Sequence, residues 1–342
     1  MKHRSERFRL FEYVIFLAVT VAAMCLCICV GSVRIPLRET VSVIWNAVAG
    51  RPQAASPAVA IVLSSRLPRV LCVALSGAAL SLSGAAMQGL LKNPLADGST
   101  LGVSSGASLG AVLAIAFGIS FPALPFAGTT VLAIAFAFLS LMLILGLSYK
   151  LDCSLSTNTI ILIGVIFSMF MSSAISVVVT FASDKLKSIT FWTMGSLQNS
   201  TYQDALILLA AFLVFGAVIA FHARELNAFA VGEDNARHIG VNVRRTKLVI
   251  LIAVSVLIGV CVSVGGTIAF VGLVTPHMVR MIVGPNHRRL LPASAFGGAV
   301  FLLLADLVAR VAFNPLELPI GVVTSLVGAV VFIFIFYRTR KG

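Results

Sequence analysis

Apolar residues in this chain are gathered into long runs, with polar residues confined to short stretches between them. The core of a bilayer requires a helix of about 20 predominantly apolar residues. Ten runs approach that length, at about 11–30, 68–90, 101–118, 125–147, 158–181, 205–221, 248–264, 268–283, 290–311 and 318–337; the eighth is short and broken. Heptad spacing is missing from them. The pattern predicts an all-α polytopic membrane protein with about ten transmembrane helices, residues 1–342 forming one transmembrane domain. A basic leader, Lys2 to Arg9, precedes the first run as in a signal peptide. The run is long, however, and no A-x-A-like cleavage site follows it, so it is expected to stay as an uncleaved helix.

Composition sharpens this picture. Of 342 residues, 59% are hydrophobic and 11% charged, against about 45–50% and about 25% in soluble domains. Soluble enzymes and nucleic-acid-binding domains are thereby excluded. The net charge of +13 is then a matter of topology. Ten spans put both termini on one side, and with the N-terminus inside, 17 Lys and Arg fall on inner segments and 8 on outer ones. Basic residues favour the cytoplasmic side, which predicts N-in, C-in. The outer eight are Arg34, Arg38, Arg51, Arg66, Arg69, Lys185, Lys187 and Arg310. Five of the six cysteines, all but Cys153, lie inside apolar runs, where thiols act as small hydrophobes; neither disulfides nor metal ligation is expected.

Two segments echo one another. SGAALSLSGAAMQGLLKNPL in the second run and IGVCVSVGGTIAFVGLVTPH in the seventh and eighth are both Gly/Ser-rich, then apolar, then broken at a proline. One starts outside and the other inside, as two weakly similar inverted halves would. Gly102, Gly106 and Gly110 form a tandem G-x-x-x-G, a spacing that lets helices approach closely in lipid. Gly265-Gly266 and Pro276 break the pattern between the seventh and eighth runs. Irregular backbone at membrane depth survives only against protein or a water-filled cavity, which points to a transport pathway.

Motifs for chemistry are scarce. The sequence has no G-x-x-x-x-G-K-[ST] to cradle ATP and no Cys/His cluster spaced for a metal; no catalytic residue is expected. Asp306 is the clear carboxylate inside a run, and Arg310 four residues on shares its helix face, which favours a pair near the surface over a proton relay. An ion-driven secondary carrier needs more acid at the midplane, and an intramembrane enzyme needs a partner for Asp306 other than Arg310. The energy source is therefore expected on another chain, and its contact in the His222–Lys247 loop. There VGEDNARHIGVNVRR predicts a short polar helix bounded by Gly232 and Gly240, with i,i+4 pairs Glu233–Arg237 and Asp234–His238. In the fifth run Ser168, Ser172, Ser176 and Thr180 are each four apart and make one hydroxyl stripe. Either a weakly polar pathway wall or helix packing fits that stripe, while Met169, Phe170 and Met171 fall off it and are expected to pack. Bare ferric ion would demand hard oxygen ligands that the runs lack, so any metal must travel inside a chelate.

At this point a resemblance becomes specific. RLPRVLCVALSGAALSLSGAAMQGLLKNPLADGSTLGVSSGASLGAVLAI (Arg66–Ile115), GEDNARHIGVNVRR, GGTIAFVGLVTPHMVRMIVGPNHRRLLP, LADLVAR and ELPIGVVTSLVGAVVF resemble, in family order and over nearly the whole chain, the permease subunits of type II ABC importers for iron–siderophore, haem and vitamin B12. The resemblance implies a multi-pass protein of the bacterial cytoplasmic membrane that is not itself an enzyme. It implies a homodimer with a second permease subunit, two ATP-binding subunits beneath it and an extracytoplasmic substrate-binding protein. It implies no cofactor on this chain, with ATP and Mg²⁺ on the ATPase, and no nucleic acid. By motif, Gly232, Glu233, Asp234, Ala236, Arg237 and Gly240 would form the helix coupled to the ATPase. Arg66, Arg69 and Arg310 would pair with acidic residues of the binding protein. Asn93, Leu95, Thr157 and Asn158 would form the inner gate, and the span bearing Ser168, Ser172, Ser176 and Thr180 would line the pathway. Gly98-Ser99-Thr100 departs from the Pro-Gly common in relatives. The leading cargo is a ferric siderophore, with haem or cobalamin as the alternative.

Overall fold

A backbone in hydrocarbon must satisfy its own hydrogen bonds, and helices do so within one segment; the described residues accordingly form helices and no sheet. The structure, a computed structural model, describes residues 8–31, 33, 35–52, 56–98, 101–119, 127–153 and 156–341. Lys2, Arg4, Arg7, Arg34, Ser99 and Thr100 lie outside the described residues, as do the side chains of Arg338, Arg340 and Lys341. In chain order the helices are α1 Leu10–Cys29, α2 Leu37–Val48, α3 Pro57–Leu90, α4 Val103–Phe117, α5 Ala127–Leu151, α6 Thr157–Phe181 and α7 Leu186–Thr193. There follow α8 Tyr202–Phe221, α9 Ala223–Val231, α10 Glu233–His238, α11 Val243–Gly265, α12 Val271–Val283, α13 His287–Val311 and α14 Ile320–Lys341. Among them α1, α3, α5, α6, α8, α11 and α13 are long and apolar enough to cross a membrane, and α4, α12 and the stretch Ile320–Ile335 of α14 are shorter apolar helices.

Helix α3 starts well before residue 68, where the apolar run led us to place it. Pro57 occupies its first turn behind the N-cap Ser56, whose Oγ accepts from Val59 N, a start that proline's fixed φ and missing N–H suit. A π-helical turn over Ile61–Arg66, in which Leu67 N–H reaches back to the carbonyl of Val62, carries the helix on into Pro68, so this proline does not end it. Helix α2, in the connection before α3, is a second element missed in the runs, because its polar residues lower its mean hydropathy.

Helix α3 is the axis of the bundle: 89% of its most apolar stretch is buried, against 17% for α6. Its small residues make this possible. A Cβ on Gly77 would overlap the carbonyl of Gly298 in α13, and one on Gly84 would overlap that of Gly272 in α12. The two echoing segments therefore touch, backbone to backbone. Gly106 and Gly110 bring α4 against Phe136, Ser140 and Leu132 of α5, which is helix packing, whereas Gly102, at φ +70°, caps the start of α4.

Helix α12 has 13 residues and rises about 20 Å, short of the roughly 30 Å core. The non-helical stretch 266–270 precedes it, with Gly266 at φ +68° and Phe270 at φ +67°. Its backbone is covered by protein: a Cβ on Gly266 would overlap the Trp192 carbonyl, and a Cβ on Gly195 or on Gly321 of α14 would overlap the Thr267 carbonyl.

Candidate functional site

Two ends of the bundle carry the charged residues singled out by the sequence. At the end where α1 stops, three arginines expected on an exposed docking surface are buried, with Arg66 5%, Arg69 6% and Arg310 3% exposed. Their guanidinium groups are engaged within the chain. Arg66 Nη1 donates to the carbonyls of Ile28 (2.6 Å) and Cys29 (3.1 Å), and Nη2 to that of Val33. Arg310 Nη1 donates to the carbonyls of Cys27 (3.0 Å) and Val30 (3.3 Å). The last turn of a helix leaves four carbonyls unsatisfied and carries partial negative charge; the two arginines cap α1. A Cβ on Gly31 would lie 3.0 Å from Arg66 Nη2, so the chain passes the guanidinium as glycine. Asp306, wholly buried, does pair with Arg310 (Nε to Oδ2, 3.0 Å), but its Oδ1 also receives Arg69 Nε at 3.0 Å and Nη2 at 2.8 Å. Arg69 Nη1 meets Glu317 Oε2 at 2.7 Å. The sequence reading missed Arg69 as a partner of Asp306, and Glu317 altogether, because 237 and 248 residues separate them from Arg69. These arginines are a buried internal brace, not an open docking surface.

At the opposite end, α10 is six residues long, too short to be stable alone. Gly232 (φ +149°) and Gly240 (φ +90°) flank it in conformations that disfavour any side chain. Its Ala236 is buried with no exposure, while Asp234, Asn235, Arg237, His238 and Ile239 face outward. The expected pair Glu233–Arg237 is not formed. Arg237 contacts Asp234 at 3.5 Å instead, both being exposed. Glu233 turns inward: its Oε1 lies 2.7 Å from Lys247 Nζ and accepts from Thr157 Oγ1 at 3.2 Å. The Lys247 side chain is wholly buried, and a buried ammonium needs a counter-charge held in place. Helix geometry prefers such a long-range partner here because Lys247, in the first turns of α11, faces the bundle interior. Beside α10 a recess of about 360 Å³ is lined by Cys153, Arg237, Val241, Asn242, Val243 and Arg244.

The candidate gate residues fall around this helix. Thr157, the first residue of α6, touches Glu233 directly, whereas Asn158 is exposed. Asn93 Oδ1 accepts from Leu95 N at 2.9 Å, a side-chain turn that shapes the loop after α3, and Leu95 itself is exposed. That loop lies beside α10, since a Cβ on Gly232 would be 3.4 Å from Lys92 Nζ. On α6, Ser172, Ser176 and Thr180 are exposed and Ser168 is half-buried. Their hydroxyls turn back on the helix, Ser168 to the Gly164 carbonyl, Ser176 to that of Ser172 and Thr180 to that of Ser176, at 2.8–3.0 Å. The stripe is thus a weakly polar surface on which the donors of Ser168, Ser176 and Thr180 are already used. Met171 is buried, but Met169 and Phe170, expected to pack, are exposed, because only 17% of the most apolar stretch of α6 is buried among the described residues.

Comparison with known proteins places this architecture. The profile of the FecCD transport family matches residues 19–338. The uncharacterized ABC transporter permease protein YvrB of Bacillus subtilis is 43% identical over 99% of this chain and 97% of its own length. The cobalamin import system permease protein BtuC of Halobacterium salinarum is 39% identical over 80% of this chain and 73% of its own. The hemin transport system permease protein HmuU of Yersinia pestis is 38% identical over 82% and 84%. A solved ABC transporter in an inward-facing conformation, described as of metal-chelate type, superposes with a TM-score of 0.84 at 31% identity, covering 95% of this chain and 98% of that one.

Proposed function

The chain belongs to the FecCD transport family, and from that premise we propose that it forms the membrane pathway through which an ATP-driven importer moves a ferric siderophore into the cytoplasm. It is a multi-pass inner-membrane protein and the permease subunit of an ABC importer of the metal-chelate, haem and vitamin B12 class, a transport subunit and not itself an enzyme. Such a permease works with ATP-binding subunits and a substrate-binding protein. The siderophore is the finer reading; relatives named for cobalamin and hemin keep those two chelates as alternatives.

The observation that carries the coupling part of this reading is α10, a short helix between two glycines that offers Asp234, Arg237, His238 and Ile239 outward. A polar, wet face of this kind suits a contact that must form and relax with each cycle. On this reading Gly232, Glu233, Asp234, Ala236, Arg237 and Gly240 belong to the coupling element, and ATP and Mg²⁺ are held by the partner ATPase. Two copies of the chain face one another, with α6 and its hydroxyl stripe on the pathway and Asn93, Leu95, Thr157 and Asn158 at its inner mouth. The exposed, largely unpartnered surface of α6 supports that arrangement. A bulky chelate slides best past hydroxyls already bonded to their own helix, since they offer polarity without a grip.

The binding protein meets the end at which α1 stops. Because Arg66, Arg69 and Arg310 are committed internally, exposed groups such as Arg38, Arg51 and Lys187 are the better candidates for its acidic residues. The test is uptake by the complete reconstituted complex with a panel of labelled chelates. Accumulation of a ferric siderophore in preference to hemin and cobalamin is the expected result; preference for either of the others overturns the cargo assignment.

A further inference from the structure

We propose that Glu233, Lys247 and Thr157 form a transmission latch that makes the docking helix move as one body with α11 and with the span that carries the hydroxyl stripe. The proposal rests on the reading of α10 as the element that meets the ATPase. Three facts carry it. The Lys247 side chain is wholly buried, and its ammonium lies 2.7 Å from Glu233. The same Glu233 oxygen accepts from Thr157, the first residue of α6, at 3.2 Å. Gly232 (φ +149°) and Gly240 (φ +90°) bound α10 in backbone conformations that favour glycine.

The physical consequence follows from the cost of separating a buried pair. Separating Glu233 from Lys247 takes the carboxylate away from an ammonium that is wholly buried, which is unfavourable. The glycines on either side transmit little force, because their backbones rotate easily. A push or pull on the exposed face of α10 is therefore relayed through the inward contacts, Ala236 and Glu233, and not along the chain. Glu233 divides that relay between α11, through Lys247, and the foot of α6, through Thr157. Lys247, wholly buried, is a positioning residue in this scheme, and Thr157 at the inner mouth positions Glu233 through its hydroxyl. The arrangement also explains why a six-residue element would carry a carboxylate turned away from its docking face.

The experiment uses the full complex with its ATP-binding subunits in proteoliposomes, and the labelled chelate that the unmodified complex accumulates from among a ferric hydroxamate, hemin and cobalamin. The readout is uptake per ATP hydrolysed, at equal amounts of assembled complex, which a loss of stability alone does not move. Glu233→Gln and Lys247→Met are expected to lower it about tenfold or more, since each breaks a buried charge pair. Thr157→Val keeps the shape and removes one hydrogen bond, and is expected to lower it about threefold. An unchanged ratio in assembled Glu233→Gln complexes overturns the latch. So does loss of the ATP-binding subunit on purification of that variant, which would put Glu233 in the docking contact itself. Should the charge variants fail to fold, Thr157→Val decides alone, an unchanged ratio again overturning the proposal. Failure of the docking reading shows separately and earlier, as an unmodified chain that retains no ATP-binding subunit.

Discussion

The two charged ends of this bundle use the same chemistry to opposite purpose. At the arginine end, Arg66, Arg69 and Arg310 brace α1, α3 and α13, with Asp306 and Glu317 as counter-charges, and α3 and α13 are locked together by the Gly77–Gly298 contact. At the docking end, Glu233 and Lys247 join a long buried helix to a short one set between two glycines. A buried ion pair is weak evidence for added stability but is costly to break. What it does depends on the freedom of the elements it joins. Between packed helices it is a clamp, and between a packed helix and a hinged one it is a linkage.

That contrast can be broken most violently at Asp306. Asp306→Ala leaves two buried guanidinium groups without their shared carboxylate and is expected to cost about 3–5 kcal/mol, read as a lower unfolding temperature in detergent; an unchanged temperature would mean the brace is not what holds this end. Arg66→Gln uncaps α1 and should cost about 1.5–3 kcal/mol, the range for hydrogen bonds to a charged group, by the same measurement. Gly84→Ala drives a methyl into the Gly272 carbonyl and is expected to cost about 1–3 kcal/mol as overpacking. Gly146→Ala, with nothing within 4 Å of the added carbon, should cost nothing, and equal effects of the two would remove close packing as the reason for glycine in α3. Among the side chains that lose a contact, Arg237→Ala costs the least stability. Its contact with Asp234 is exposed, so the loss should stay within about 1 kcal/mol, while co-purification with the ATP-binding subunit weakens; a large fall in unfolding temperature without that weakening would make Arg237 structural.

Much of the helical layout was legible because hydrocarbon permits few alternatives: long apolar runs become helices, and Gly232 and Gly240 mark the bounds of α10. The start of α3 was hidden by Pro68, which ends a helix unless a π-turn absorbs it. Helix α2 was hidden because it is amphipathic, with Leu37, Val41 and Trp45 exposed and Thr40 and Val43 buried, a pattern that an apolar-run criterion passes over. The partners of the charged residues were the least legible. Spacing suggested Glu233–Arg237 and Asp306–Arg310, the neighbours one helical turn away. The fold instead gives Glu233 to Lys247, since a wholly buried charge takes precedence over an exposed one in claiming a counter-ion; the Asp306–Arg310 pair does form, and Arg69 joins it. A lysine and an arginine sitting within or against apolar runs, as Lys247 and Arg69 do, were the available signal.

The central claim is that this polypeptide is a conduit driven by an ATP-hydrolysing partner. Its most direct test is uptake of a labelled ferric hydroxamate into proteoliposomes that contain the chain and its binding protein, with or without the ATP-binding subunits. The account predicts accumulation only with those subunits and ATP, unaffected when proton and sodium gradients are collapsed. Uphill accumulation by the chain without them, powered by an ion gradient, would contradict it.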